Sequence, residues 1–93
     1  MPAYRIKHLP TGLYYIPSRR VAATSPDSRR TSYVKSNLSR MGKAYARRPS
    51  LNQIGNTYYS HLNARWELQG GYWYVHSMLS PTIASEWTIE EMQ

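Results

Sequence analysis

The chain has 93 residues, no cysteine, and twelve Lys and Arg against five acids, for a net charge of +7. A chain of this length supports one modest core, and the lack of thiols excludes disulfides, thiolate catalysis and cysteine-based metal sites. With 41% apolar and 13% aromatic residues, it lies above the composition of a disordered polymer and is expected to fold as a single domain over 1–93.

The charge is uneven. Residues 1–48 hold eleven of the twelve cations against Asp27 alone, for +10, whereas residues 49–93 hold Arg65 against Glu67, Glu86, Glu90 and Glu91, for −3. Such a field concentrates polyanions near one half of the molecule and is screened by salt. No apolar run approaches the ~20 residues of a membrane span, and Met1 to Lys7 lacks the apolar stretch of a signal peptide, so a cytosolic location without membrane contact is expected.

Along the chain, residues 3–9 alternate, with Tyr4, Ile6 and His8 on one side and Arg5, Lys7 and Leu9 on the other, the period of a half-buried strand. Leu9-Pro10-Thr11-Gly12 then suits a type I turn with a Gly bulge. A hairpin of 3–9 with 13–17 follows, placing Leu9 opposite Leu13, Lys7 opposite Tyr15, His8 opposite Tyr14 and Ile6 opposite Ile16. The 17–36 segment, rich in Ser, Thr, Arg, Ala and Pro, shows almost no apolar period and reads as a long basic loop, either mobile throughout or ordered only on binding.

Leu38, Met41 and Tyr45 have helical spacing, but Gly42 costs a helix interior roughly 1 kcal/mol. A turn leading to a short strand at 43–47 is therefore preferred over a helix. Residues 50–62 read as a short helix interrupted at Gly55, with an irregular stretch at 58–61. The strongest local signal is Gly70-Gly71 between two alternating runs, 64–69 and 72–76. Its register pairs Gln69 with Tyr72, Leu68 with Trp73, Glu67 with Tyr74, Trp66 with Val75 and Arg65 with His76. Trp66, Leu68, Trp73 and Val75 then share one face. After Pro81, residues 86–90 alternate as a last strand, with Trp87 and Ile89 inward. The expected fold is mainly β, with α+β as the alternative: a small twisted antiparallel sheet or open barrel of about five short strands with one short helix. All three tryptophans are expected in its core.

Catalytic patterns are sparse. His8, His61 and His76 lack metal-ligand spacing and have no carboxylate beside them in sequence, so they read as ordinary strand or surface histidines. There is no Gly-x-Ser-x-Gly elbow and no phosphate-cradling glycine loop. Glu86 and Glu90 share a strand face, where solvated charge is the simpler reading. No enzyme activity, metal or cofactor is expected.

Basic residues interleaved with tyrosine are more informative. Arg19, Arg20, Arg29, Arg30, Lys35, Arg40, Lys43, Arg47 and Arg48 are candidate phosphate ligands, and Tyr15, Tyr33 and Tyr45 candidate stacking platforms. Guanidinium groups grip phosphate bidentately, and a phenol ring offers a flat face to a base. The competing reading is that charge runs are solvated faces and that Tyr simply packs well in strands. No helix-turn-helix, RNP, KH or zinc-finger pattern is present, which favours phosphate, shape or single-strand binding over groove reading.

The segments Tyr4 to Tyr15, Ser36 to Tyr45 and Ser85 to Ile89 resemble a group of small bacteriophage proteins, with Ala44 departing from the larger β-former of such segments. The resemblance implies a phage accessory protein acting in the host cytoplasm on host machinery or its nucleotide signals, and it brings no catalytic residues. Three readings follow: a non-enzymatic protein binding nucleic acid or a nucleotide through its basic first half; an anti-defence inhibitor of the anti-CRISPR kind, engaging an acidic surface of a host protein complex; or a minor structural phage protein, with homo-oligomers formed by acidic tail on basic half.

Overall fold

The computed structural model describes residues 3–92. Among them are six strands: β1 (Ala3–His8), β2 (Tyr14–Thr24), β3 (Thr31–Ser39), β4 (Thr57–Gln69), β5 (Tyr72–Pro81) and β6 (Trp87–Met92). A four-stranded antiparallel sheet runs in the order β3-β2-β1-β6, and β4 with β5 forms a second, two-stranded sheet. The mainly-β expectation holds. The strands form two antiparallel sheets instead of one, no closed barrel occurs among the described residues, and several strands are long rather than short.

Ile6, Leu38, Ile54, Tyr58 and Trp87 form the core, with Leu13, Tyr15, Tyr45 and Leu51 packed against it. Ile6 and Leu38 are fully buried, and burying such a side chain contributes roughly 1.5–3 kcal/mol. His8 joins this core rather than the surface: its ring lies 4.5 Å from the Trp87 ring, and its Nδ1 is 2.9 Å from the Thr11 hydroxyl. The Leu9 N–H donates to the Glu86 carbonyl at 2.8 Å, which ties the first turn to the start of β6.

The first hairpin exists, but its register is one residue away from the expected one. Lys7 opposes Tyr14, not Tyr15. The His8 N–H donates to the Leu13 carbonyl and the Gly12 N–H to the His8 carbonyl, so four residues make the turn instead of three. A one-residue slip exchanges faces: Tyr15 turns inward to an edge contact with Trp87, and Tyr14 turns outward to Glu90.

The larger correction concerns 17–36. Most of this segment is the paired β2–β3 ribbon, with Arg20 opposite Lys35, Val21 opposite Val34 and Thr24 opposite Thr31. Only a short tip remains outside the strands, built by Ser25 and Asp27: the Ser25 N–H donates to the Arg30 carbonyl, and the Asp27 carboxylate accepts the Arg29 N–H. The inner face alternates Val21, Ala23, Ser32, Val34 and Ser36, a period hidden by small and hydroxyl side chains. The expected 43–47 strand is reduced to one bridge, Tyr45 with Tyr4. The 50–62 helix is reduced to a single 3-10 turn, Leu51–Gln53, capped by the Ser50 hydroxyl, and the 58–61 stretch expected to be irregular belongs to β4.

Around Gly70-Gly71 every expected pair is observed. Both glycines have positive φ, 57° and 82°, as a tight two-residue turn between twisted strands requires. Their hairpin continues well beyond the expected bounds, to Thr57 opposite Pro81. Trp87 is core as expected, but Trp66 and Trp73 are only half-buried. Together the two ribbons extend the molecule to 52 × 24 × 18 Å, with a radius of gyration of 15.0 Å against about 12 Å for a compact chain of this length.

Candidate polyanion interface

β3 is an edge strand, and a bare edge invites pairing with another chain. Here the second sheet covers part of it through side chains. The Lys35 N–H donates to the Ser77 hydroxyl at 2.7 Å, and the Tyr59 N–H to the side-chain Oδ1 of Asn37 at 2.8 Å. The Asn37 amide donates in turn to the Ile16 carbonyl at 3.1 Å. These bonds fix which face of the β2–β3 ribbon meets solvent.

The outward face carries Arg20, Ala22 and Thr24 from β2 and Lys35, Tyr33 and Thr31 from β3, all exposed. Arg20 and Lys35 stand directly opposite each other. Like charges so placed destabilise a sheet by roughly 0.2–1 kcal/mol, a cost that an anionic ligand would offset. Arg29 and Arg30 lie at the ribbon tip, whereas Arg40, Lys43, Arg47 and Arg48 follow β3 at its other end. The nine residues of β3 separate the two groups by roughly 27 Å at 3.3 Å per residue. Arg19 is exposed but belongs to the opposite side of the ribbon from Arg20.

All nine sequence-selected cations are exposed. Among the described residues none of their charged groups lies within 4.0 Å of a carboxylate, although Asp27 accepts the Arg29 N–H and attracts its guanidinium from further away; Glu90 is engaged with Lys7, Glu86 with His8, and Glu67 with Arg65 and His76. Asp27 is held below the usual carboxylate range by the Ser25 hydroxyl first and the Arg29 N–H second, with the Trp73 indole adding to both. It therefore stays ionised as part of the tip scaffold. Lys35 and Lys43 lie over the rings of Tyr59 and Tyr45, at 5.4 and 5.1 Å.

The tyrosines fare unequally. Tyr33, 66% exposed, presents a free ring. Tyr15 does not: it packs on the core, donates its hydroxyl to the Gln53 carbonyl at 3.1 Å, and has its pKa raised by burial. Tyr45 is also half-buried against the core, its pKa raised by burial and then by Tyr15, and Lys43 covers its ring. Tyr15 and Tyr45 are thus packing residues rather than platforms. Tyr72 and Tyr74, 65% and 47% exposed on one face of β5, are free aromatic surfaces that sequence reading assigned only to an outer face.

Two histidines do have carboxylate neighbours that the sequence did not reveal. His8 Nε2 is 3.5 Å from Glu86 and His76 Nε2 is 3.7 Å from Glu67. His61 instead meets the Ser36 hydroxyl at 2.7 Å through Nδ1, and burial lowers its pKa. No cluster of three or more metal-ligating side chains occurs among the described residues, nor does a helix long and apolar enough to cross a membrane.

Two cavities accompany the surface. One, of about 310 Å³, lies between the 3-10 turn and Trp87, and its walls include no charged residue. The other, of about 400 Å³, opens between the sheets beside Arg40. No protein-family model, curated protein or solved structure matches the chain.

Proposed function

We propose that this protein is a non-enzymatic binder of phosphate-rich ligands, nucleic acid or nucleotide, acting in the phage-accessory setting that its sequence resemblance implies. The observation that carries the reading is a set of nine exposed cations, none of whose charged groups lies within 4.0 Å of a carboxylate among the described residues. Arg20, Lys35, Arg29 and Arg30 line the outer ribbon and its tip, and Tyr33 among them supplies a ring for stacking. Guanidinium–phosphate pairs are charge-assisted and bidentate, and stacking adds sequence-tolerant affinity.

The test is fluorescence anisotropy with a labelled single-stranded 20-mer across a salt series. For roughly five phosphate contacts, affinity should fall about a hundredfold between 50 and 200 mM salt. Binding that ignores salt would sink the reading.

A second reading, an inhibitor that engages an acidic surface of a host protein complex, is favoured by Tyr72, Tyr74 and Leu68, exposed around the β4–β5 tip. Tyrosine is enriched at protein interfaces. Nuclease treatment during capture from host lysate separates the two readings: a stoichiometric partner that survives it and is lost on Tyr72→Ser with Tyr74→Ser supports inhibition.

A further inference from the structure

Both ribbons break register at the same level of the molecule. In β2, residues 16–18 stand against Asn37 alone, because Tyr15 pairs with Leu38 and Arg19 with Ser36. In β4, residues 61–64 stand against Ser77 alone, because Ser60 pairs with Met78 and Arg65 with His76. Bulges bend strands and re-aim side chains, and they concentrate beside binding sites. Here Asn37 holds the buckled strands together, through the Ile16 carbonyl on one side and the Tyr59 N–H on the other.

Beside these bulges lies the cavity of about 400 Å³. Its apolar lining is Leu13, Val21, Leu38 and Leu62, of which Leu38 is fully buried and Leu62 is 54% exposed. Three polar residues join them. Arg40 has no carboxylate within 4.0 Å among the described residues. The Ser39 hydroxyl accepts the Gly42 N–H at 2.8 Å and keeps its own proton to donate. His61 commits Nδ1 to Ser36, which leaves Nε2 without a hydrogen-bond partner among the described residues.

An apolar pocket with a few convergent polar groups and one unpaired cation is the usual form of a small-molecule site, and this volume is near the lower end of the usual range of roughly 300–1,000 Å³. It suits a single ring system rather than a dinucleotide. We infer that this cavity is a mononucleotide pocket, in which the base lies against Leu13, Val21, Leu38 and Leu62, Ser39 and His61 meet its polar edge, and Arg40 takes the phosphate. This inference rests on the phosphate-binding reading and deepens it by naming the ligand unit. The nucleotide is either free or the exposed end of a strand, since both present the same base and phosphate.

Isothermal titration with AMP, GMP, CMP and UMP, with ribose 5-phosphate as the baseless control, tests it. At least one nucleotide should bind one to one and about tenfold or more tighter than ribose 5-phosphate, a difference that one buried apolar or hydrogen-bonded contact supplies. Leu62→Trp, which fills the mouth of the cavity, should weaken that nucleotide about tenfold, and Arg40→Gln should weaken it by a similar factor with a reduced salt dependence. Amide shifts in the unmutated protein provide a readout independent of either variant. Signals of Val21, Arg40, His61 and Leu62 should move on nucleotide addition. Shifts confined to Arg29, Arg30 and Tyr33, or equal affinity for ribose 5-phosphate, would overturn the pocket. Titration with a 5′-phosphorylated oligonucleotide distinguishes the sources, a strand end being favoured if it perturbs the same four amides more tightly than the free nucleotide. The two proposals fail separately: salt-insensitive 20-mer binding removes the polyanion reading alone, and unmoved cavity amides remove the pocket alone.

Discussion

The two ends of the molecule use the same kinds of residue for opposite purposes. At the core end, aromatic rings pack on one another and an acid meets its partners: Trp87 packs with His8, Tyr15 and Tyr58, although its indole N–H has no hydrogen-bond partner among the described residues, and Glu90 takes both Lys7 and the Tyr14 hydroxyl, the latter at 2.8 Å. Along the two ribbons the rings of Trp66 and Trp73 are half-buried, Tyr33 is exposed, and Arg19, Arg20 and Arg30 have no carboxylate within 4.0 Å among the described residues. The contrast teaches that net charge alone says little about function. What matters is which cations the fold leaves unneutralised, and five of the nine, Arg19, Arg20, Arg29, Arg30 and Lys35, lie along the β2–β3 ribbon and its tip.

The largest test of the comparison removes core and ribbon side chains in parallel. Leu38→Ala should cost about 3 kcal/mol in urea unfolding, the usual range for a fully buried leucine, whereas Trp73→Ala should cost about half that because its ring is only half-buried. Equal losses would erase the distinction between the two ends. Gly42→Ala comes next. Its φ of 69° disfavours a side chain and its added Cβ would collide with Tyr14, so about 2 kcal/mol should be lost, readable as a lower denaturation midpoint.

Charge reversal at Arg29 and Arg30 sharpens the contrast from the ribbon side. Oligonucleotide affinity should fall about tenfold at low salt with the fold retained, the stability cost being confined to the lost attraction between Arg29 and the exposed Asp27. Lys35→Glu should weaken oligonucleotide binding while leaving stability within about 0.5 kcal/mol, since the attractive pair it makes with Arg20 offsets the lost contact of Lys35 with the Tyr59 ring.

The smallest effect is a pH dependence centred on His61. Burial lowers its folded-state pKa below the ordinary 6.5, so its contribution to stability is present above 6.5 and is lost as pH falls through the lower folded value. Thermal midpoints should drop on acidification through that window, and His61→Gln should flatten part of the drop. An unchanged profile would remove His61 from the account.

Strong local chemistry made parts of this fold legible. Gly70-Gly71 between alternating runs specified five strand pairs correctly, because turn type and side-chain face had only one mutual solution. The β2–β3 ribbon was not legible: Ala23, Ser32 and Ser36 face inward, and burial of such small residues leaves no hydrophobic period. Tyr15 failed for a related reason. A turn one residue longer than expected exchanged its face with Tyr14, and nothing local distinguishes the two.

The sequence by itself determined the mainly-β class, the uneven charge, the 64–76 hairpin and the inward aim of Trp87, since each follows from composition or short-range periodicity. Only the tertiary structure decided that the basic segment is an ordered ribbon, that Glu67, Glu86 and Glu90 are engaged away from the nine candidate cations, and that two bulged strands enclose a cavity beside Arg40. Those features depend on contacts between residues far apart in the chain, such as Asn37 with Ile16 and Tyr59, and no local pattern encodes such a meeting.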